Sequence, residues 1–331
     1  MNQSSSGFLL SKAIEGFLSF KLAYSASMGT ITGYKHDLGK FLGHAGDRHT
    51  SQITTEVIRE FMGWLRTGYA PRRFNGETHP ISAKTLRNFW VCLSGLFGWL
   101  AREFGAANPM TNVPAPKTKR SPVETFTRDE VDALLKAAEW AREAKTVLRR
   151  EYRMRRGTYK RDISILLCLL DAGMRASELC HLDVRDVDLK EGKVEIKHGT
   201  RGGAKGGKGR FVYLGKTARR ALWRYLATRE DQGNDPGAPL FIGKFERRIT
   251  PGSLLVLIKR LGARANVSKC HPHRFRHTFA ISYLRGGGDV FTLQSLLGHS
   301  DLAMVQHYAR VAEVDIQEVH KRASPADNWR L

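Results

Sequence analysis

The feature that most constrains the fold is a cluster of prolines about a third of the way along the chain. Its members are Pro109, Pro114, Pro116 and Pro122. Proline fixes its φ angle and lacks an amide hydrogen, so a regular helix cannot run through the cluster. The same stretch is positively charged. We therefore predict a helical domain over residues 1–107, an extended basic linker over 108–124 and a second domain over 125–331.

The first domain carries four runs of apolar residues at the spacing of an amphipathic helix. The first run contains Ile14 and Phe17, and Thr30 is the predicted cap of the second. The third run follows Thr55, and the fourth extends from Leu86 to Leu100. These runs predict a compact four-helix domain.

The second domain has a mixed pattern. Thr127 and Glu130 have the spacing of a capping box, which predicts a helix from there to about Ala144. Residues 194–196 and 211–214 predict two short strands joined by a Gly- and Lys-rich hairpin. Most other apolar runs have helical periodicity. The predicted fold class is mainly α with a small β-sheet (α+β).

The net charge is +22 and the pI is near 10.1, which indicates a polyanionic partner, DNA or RNA before others. A basic protein with no such partner, or one that binds anionic membranes, is the alternative. The longest uncharged apolar run, 163–170, is too short to span a membrane, and the N-terminal residues do not resemble a signal peptide. The four cysteines form no C-x-x-C pair, which predicts reduced, buried thiols in a cytoplasmic protein.

Two other motifs suggest nucleotide binding and metal binding, but each departs from the pattern that such a site requires. The segment 202–209 nearly matches a phosphate-binding loop, but Gly209 stands where a hydroxyl must hold Mg²⁺. Cys270, His271 and His273 resemble metal ligands, but no second ligand pair stands nearby. We therefore predict neither a metal nor a cofactor.

Three clusters suit phosphate chemistry without a metal. Arg175 begins a short helix and can be held by Glu178, although a purely structural ion pair is the alternative. His273 and Arg276 are three residues apart and share a helix face, which places a proton-transfer group beside a bidentate phosphate binder. A solvated basic helix would show the same pattern. The third cluster ends in Tyr308, which could also be an ordinary half-buried tyrosine.

In sequence order these clusters resemble the tyrosine recombinase (phage integrase) family. An Arg precedes Ser-Glu-Leu, a Gly/Lys hairpin follows, then H-x-x-R-H at 273–277, Leu-Gly-His at 297–299, and a Tyr nine residues later. The resemblance covers roughly residues 125–320, and more loosely an N-terminal DNA-clamping domain. It implies a catalytic domain whose catalytic residues are Tyr308, Arg175, Lys205, His273, Arg276 and His299. Glu178 is expected to support them, and Lys208 is the alternative to Lys205.

The resemblance implies a site-specific DNA recombinase or integrase, of the kind carried by mobile elements. Tyr308 would attack a DNA phosphate to give a 3′-phosphotyrosine, with the two arginines clamping the non-bridging oxygens. His273 would accept the tyrosine proton or position the phosphate, Lys205 would protonate the leaving 5′ oxygen, and His299 would hydrogen-bond a phosphate oxygen. Neither a metal nor ATP is needed. A type IB topoisomerase and a non-catalytic DNA-binding protein are the alternative functions.

The expected partner is double-stranded DNA with inverted-repeat sites. The residues predicted to contact it are Arg72, Arg73, Lys117, Lys119, Arg120, Lys208, Arg210 and Arg274. The basic stretch 145–161 could contact DNA or simply lie on the surface. The protein is expected to be a monomer in free solution and a homotetramer on paired sites. A short C-terminal helix at about 311–319 would then dock on the neighbouring subunit, or alternatively on its own domain.

Overall fold

The computed structural model of the protein describes most of the chain. The described residues are 7–24, 26–71, 79–118, 122–141, 144–146, 149–197, 209–230, 234–298, 302–312, 324 and 326. The chain divides into two compact units, Met1–Ser121 and Pro122–Leu331. Helices dominate both units, and short strands occur in the second, so the predicted fold class is confirmed.

Unit 1 has four α-helices among its described residues. They are α1 (Leu10–Ala23), α2 (Met28–Ala45), α3 (Thr55–Thr67) and α4 (Ala83–Phe104). The cap of the second helix is Ser27, three residues before the predicted Thr30, because the Ser27 side chain accepts the Thr30 amide. Phenylalanines from all four helices fill one core, and the rings of Phe41 and Phe61 meet edge to face at 5.0 Å.

Unit 2 contains eight α-helices in its described part. They are α5 (Arg128–Glu139), α6 (Tyr159–Ala172), α7 (Ala176–His181), α8 (Lys216–Leu226), α9 (Pro251–Ala265), α10 (Pro272–Arg285), α11 (Val290–Leu297) and α12 (Leu302–Ala312). The predicted capping box at the start of α5 is present, because Thr127 and Glu130 each accept the other's amide hydrogen. The helix ends at Glu139 rather than near Ala144, since the next residue is extended and pairs with Arg155.

Two small antiparallel sheets belong to unit 2. β1 (Ala144–Thr146) pairs with β2 (Arg149–Tyr152), and β3 (Val187–Asp188), β4 (Lys193–Ile196) and β5 (Arg210–Tyr213) form the other sheet in that order. The strands β4 and β5 match the two predicted strands. Val194 and Val212 are paired in register and fully buried, so the three-stranded sheet packs one face on the core.

The core of unit 2 is built around α6. Leu166 and Leu169 of this helix are buried with residues of α8, α9 and the three-stranded sheet. The first-turn residue Asp162 is also fully buried, and Arg156 and Arg161 each bind its carboxylate at 2.8 Å. Two partly buried arginines of the basic stretch 145–161 are therefore ion-paired with a buried carboxylate. The helix α6 ends at the turn that carries Arg175.

A separate apolar cluster joins α10, α11 and α12. Val305, Tyr308 and Ala312 of α12 pack with Ile281 and Leu284 of α10 in this cluster. The three residues of α12 lie three or four positions apart, so they form one face of the helix. That face positions the predicted nucleophile against α10. None of the described helices is long and apolar enough to cross a membrane.

Candidate active site

The Arg175 turn is set by Gly173. This glycine ends α6 with a left-handed backbone (φ 59°), and a Cβ built on it would lie 2.3 Å from the ring of Phe279. Glycine is therefore required both by the backbone and by the neighbouring ring. The turn places Arg175 immediately before α7, with its side chain about a quarter exposed.

Glu178 fixes the arginine at this turn. Its carboxylate accepts the backbone amide of Arg175 at 2.8 Å and the Arg175 Nη1 at 2.7 Å. Arg210 of β5 donates to the same carboxylate through both terminal nitrogens, at 2.9 and 2.7 Å. The Glu178 side chain is fully buried between the two guanidinium groups. The predicted ion pair is therefore one half of a three-residue network.

The charge of Glu178 is secured by these arginines. Burial alone would raise the pKa of the carboxyl, but the hydrogen bonds and charge of Arg210, then those of Arg175, lower it to about 2. The carboxylate is thus ionised at neutral pH. Two guanidinium groups share one carboxylate, so the network keeps a net positive charge next to the partly exposed Arg175.

The guanidinium group of Arg276, on α10, is held by two backbone carbonyls. Nη1 donates to Gly173 O at 2.8 Å and Nη2 donates to Leu297 O at 2.6 Å. Burial, then the positive charge of Arg175, lowers the pKa of Arg276 to about 10, so the group stays protonated at neutral pH. The carbonyl of Gly173 thereby connects Arg276 to the turn that carries Arg175.

His273 lies one helical turn before Arg276 and is exposed. Although the residue as a whole is exposed, partial desolvation of its ring, then the charges of Arg276 and Arg175, lowers the pKa of His273 below its usual value. The predicted proximity of His273 to the two arginines therefore agrees with the geometry. Its neutral form is favoured in the free protein.

Tyr308 lies on the inner face of α12 and is 1% exposed. Its hydroxyl is 2.8 Å from Nδ1 of His277, and the two ring centroids are 5.7 Å apart. Burial raises the pKa of Tyr308, while Arg276 and Arg175 oppose that rise. The Tyr308 phenol is therefore protonated at rest and lies within the electrostatic reach of both arginines.

His277 contacts Tyr308 but was not among the predicted site residues. The resemblance assigned the tyrosine proton to His273. His277 follows His273 by four residues, and residues at this spacing share a helix face. This spacing was the sequence signal that could have identified His277. Which of the two histidines meets Tyr308 depends on where α12 packs, and no local pattern reports that.

Two residues predicted to contact DNA are instead engaged in the interior. Arg274 is 7% exposed, binds both oxygens of Glu130 at 2.7 and 2.9 Å, and lies over the ring of Phe126. Arg210 is held by Glu178 and by the carbonyl of Leu296. Guanidinium groups buried against carboxylates are not available to a DNA phosphate, so we withdraw both from the predicted DNA contacts.

The remaining predicted site residues divide into two sets. Lys117 is described and exposed in unit 1. The others lie outside the described residues: Arg72, Arg73, Lys119, Arg120, Lys205, Lys208 and His299. The four cysteines are unpaired and buried. Within the described ranges no group of three or more His, Cys, Asp or Glu side chains could hold a metal ion.

Known proteins resemble this chain over most of its length. Residues 124–314 match the phage integrase family. Tyrosine recombinase XerC of Pseudomonas aeruginosa is 31% identical over 303 residues, which cover 90% of this chain and 89% of that protein. Tyrosine recombinase XerD of Staphylococcus epidermidis is 28% identical over 320 residues, which cover 94% and 98%.

A solved structure has the same fold. The Tn1549 transposon integrase in complex with a circular intermediate DNA matches with a TM-score of 0.69 and 17% identity, over 91% of this chain and 95% of that one. The family match spans more than half of the chain, and the similarity to XerC extends across most of both proteins. The chain therefore belongs to the phage integrase family of tyrosine recombinases.

Proposed function

We propose that this recombinase cuts and rejoins DNA at specific sites through a covalent bond between Tyr308 and a backbone phosphate. The observation that supports this most directly is geometric. Arg276 donates to the Gly173 carbonyl in the turn that carries Arg175, and the Tyr308 hydroxyl meets the residue after Arg276, so a nucleophile and two phosphate-binding cations share one site. A DNA phosphodiester carries one negative charge and gains another during attack, and both arginines can stabilise it.

The cleavage step is a transesterification. The Tyr308 oxygen bonds to phosphorus, the bond from phosphorus to the 5′ oxygen breaks, and a 3′-phosphotyrosine remains. Lys205, or Lys208 in its place, supplies a proton to the departing 5′ oxygen, and His299 hydrogen-bonds a phosphate oxygen. His273 positions the phosphate beside Arg276. Attack of a second 5′-OH on the phosphotyrosine rejoins the strands without ATP, a metal or a cofactor.

Access to Tyr308 must change before cleavage. The side chain is 1% exposed, so a DNA phosphate cannot reach the hydroxyl until α12 or its covering residues move. Such a movement would couple cleavage to assembly on paired inverted-repeat sites. We propose a monomer in free solution and a tetramer on DNA, with the helix at about 311–319 docking on the neighbouring subunit. Residues 313–323 lie outside the described part of the chain.

Both units are suited to hold DNA. Residues 1–121 contain 15 Lys and Arg against seven Asp and Glu, and residues 122–331 contain 39 against 25. Each unit therefore has its own positive charge for the DNA backbone. We propose that residues 1–107 and 125–331 clamp the duplex, joined by the basic linker 108–124. We also propose that the protein is of prokaryotic or phage origin and acts on nucleoid DNA in the cytoplasm.

A single substitution tests the nucleophile. Tyr308→Phe removes only the hydroxyl, so it should abolish the covalent complex on nicked site DNA and leave DNA binding nearly unchanged. The measurement is the adduct band on a denaturing gel, with binding followed by gel shift. An adduct formed by the Phe variant would refute the assignment.

Assembly is tested by removing the tail. A chain that lacks residues 312–331 should bind a single half-site normally but lose cooperative binding and recombination of two sites. Normal recombination by the truncated chain would show that the tail packs on its own subunit.

A further inference from the structure

Aromatic and basic side chains share the outer surface of the three-stranded sheet and of α8. Three of them are large aromatic residues that are about half exposed: Phe211 (46%), Tyr213 (56%) and Trp223 (60%). Four are exposed cations: Lys193, Lys216, Arg220 and Arg224. We call these seven residues the aromatic–basic surface. An exposed group of this composition points to a ligand.

The alternation of side chains along β5 turns two rings outward. Val212 is fully buried, so its neighbours Phe211 and Tyr213 lie on the opposite face of the sheet. Side chains two residues apart on a strand are about 7 Å apart. Lys193 of β4 pairs with Tyr213, and its Nζ is 3.8 Å from the centre of the Phe211 ring. A cation therefore accompanies the two rings.

The helix α8 continues the surface. Lys216, Arg220 and Arg224 are four residues apart and form one stripe, and Trp223 lies beside it. The opposite side of the helix is buried in the core of unit 2. Arg219 of the same helix donates to a backbone carbonyl in the turn before β4, which ties the helix to the sheet. The two parts of the surface are therefore held next to each other.

The positive charge of this surface is largely uncompensated. Arg210 and Arg274, by contrast, are each bound by a glutamate. In the described part of the chain, none of the three cations of the α8 stripe forms an ion pair, and the helix contains no acidic residue. Glu195 of β4 stands opposite Phe211 and offsets one of the four cations. The surface therefore keeps a positive charge and suits an anionic ligand.

Single-stranded DNA matches this combination of rings and cations. The flat faces of the bases are free to stack on aromatic side chains when the strand is unpaired. In a duplex the bases are stacked on one another, so the three rings would have no base face to contact. Cations next to the rings follow the phosphates of the same strand. In RNA-recognition domains, rings on the exposed face of a sheet bind unpaired bases in this way.

The surface begins beside the candidate active site. Phe211 directly follows Arg210, which shares the carboxylate of Glu178 with Arg175. The strand β5 then runs from Arg210 toward α8, whose first residue is Lys216. Six residues span at most about 20 Å, which is the length of about six stacked nucleotides. A short piece of DNA strand that leaves the site is therefore long enough to cover the surface.

We propose that the aromatic–basic surface binds the single strand released by cleavage, an inference that rests on the proposed function. Cleavage leaves a free 5′-OH, and that strand must separate from its complement before it attacks the phosphotyrosine of the other duplex. Its bases stack on Phe211, Tyr213 and Trp223, and its phosphates meet Lys193 and the cations of α8. The surface thereby keeps the released strand near the site during exchange.

Binding of a short oligodeoxythymidylate to the full-length chain tests this surface. The probe has bases and phosphates but forms no duplex. Its affinity is measured by fluorescence anisotropy and compared with the affinity for a duplex of the same length that lacks the recombination site. The variants are Phe211→Ala, Tyr213→Ala and Trp223→Ala, with Tyr213→Phe and Trp223→Phe as ring-retaining partners. Tyr24→Ala, which removes a 74% exposed tyrosine of unit 1, is the matched control.

Each Ala variant of the surface should bind the oligonucleotide about 5- to 150-fold more weakly, the effect of losing one base–aromatic stack, with a much smaller change for the duplex. The ring-retaining variants and the Tyr24 control should bind nearly normally. In a recombination assay, the Ala variants should complete fewer exchanges per covalent complex formed.

The charge of α8 is tested by salt dependence. A triple change, Lys216→Gln with Arg220→Gln and Arg224→Gln, should reduce the slope of log affinity against log salt by about 2, at about 0.7 for each phosphate contact of a single strand. An unchanged slope would show that these cations do not meet the phosphates of the oligonucleotide and would refute their part in the proposal.

Three other results would overturn the proposal. Ala variants that bind the oligonucleotide as well as the control would leave the surface to another anionic partner, such as an acidic protein. Equal losses for the oligonucleotide and the duplex would exclude stacking on unpaired bases. Normal exchange by variants that have lost oligonucleotide binding would exclude the released strand as the ligand.

The proposed function is tested apart from this surface. Tyr308→Phe should bind the oligonucleotide normally, because the hydroxyl is not part of the surface. An adduct formed by that variant would refute the function and leave the binding in place. Lost oligonucleotide binding in the unmodified protein, with a normal covalent complex, would refute the surface alone.

Discussion

Glu178 should contribute a large part of the stability of unit 2 through its charge. The carboxylate is fully buried and is shared by Arg175 and Arg210, which donate to it through three side-chain hydrogen bonds. The substitution Glu178→Gln keeps the size and one acceptor oxygen but removes the charge. It leaves Arg210, whose side chain is 8% exposed, without its ionic partner.

The size of the stability contribution of Glu178 follows from its pKa, which falls from 4.5 to about 2. At about 1.4 kcal/mol per pKa unit, this shift corresponds to about 3 kcal/mol at pH 7. Removing one partner of a buried ion pair typically costs about 3–5 kcal/mol, so the two routes agree. Because the folded-state pKa is depressed, the contribution is complete above pH 4.5 and is lost as the pH falls toward 2. At pH 3 it should be roughly 1.4 kcal/mol.

The assay is urea unfolding of the full-length chain, with hydrogen exchange of peptides from α7 and β5 to report on unit 2 alone. Glu195→Gln is the matched control, because Glu195 is an exposed glutamate on β4. We expect the Glu178 variant to lose about 3 kcal/mol at pH 7 and the control to lose less than about 0.5 kcal/mol. Equal losses in the two variants, or a loss that does not shrink between pH 7 and pH 3, would refute the electrostatic explanation.

Three further predictions concern the reaction. Arg276→Ala should slow single-turnover cleavage by about 10²–10³-fold, as the loss of one preorganised donor does elsewhere, and cleavage by the unmodified protein should persist in EDTA. If Lys205 is the general acid, a 5′-phosphorothiolate substrate should rescue Lys205→Ala; rescue of Lys208→Ala instead would move the role to that residue. Gly173→Ala should reduce cleavage strongly because the new methyl meets Phe279, whereas Gly105→Ala, at a similar left-handed helix end with open space, should affect stability alone. Equal cleavage by the two glycine variants would contradict the proposed role of the turn.

The helices were the most predictable part of the fold. Apolar spacing identified the four helices of unit 1 to within a few residues, and the Thr127–Glu130 box marked the start of α5. These signals are local, since they depend on neighbours three or four residues away. The predicted end of α5 was wrong because the helix stops where Trp140 pairs with Arg155. The strand β3 was missed because it has only two residues, which are too few to show an alternating pattern.

The site was predictable in its residue types but not in its contacts. Sequence order identified Arg175, Arg276 and Tyr308, which the structure brings within electrostatic reach of one another. Charge alone did not distinguish a DNA-binding arginine from a buried one. Arg274 binds a glutamate 144 residues away, and such a partner is visible only after the chain has folded.

The free protein has its proposed phosphate-binding groups in place and its proposed nucleophile out of reach. Arg276 is fixed by two backbone carbonyls, and Arg175 by Glu178, so neither needs to be ordered by DNA. Tyr308 instead lies in an apolar cluster with its hydroxyl on His277. The main reorganisation before cleavage therefore belongs to α12 and the residues around it. A recombinase built in this way can bind DNA without cutting it, and α12 is the element through which assembly would start the reaction.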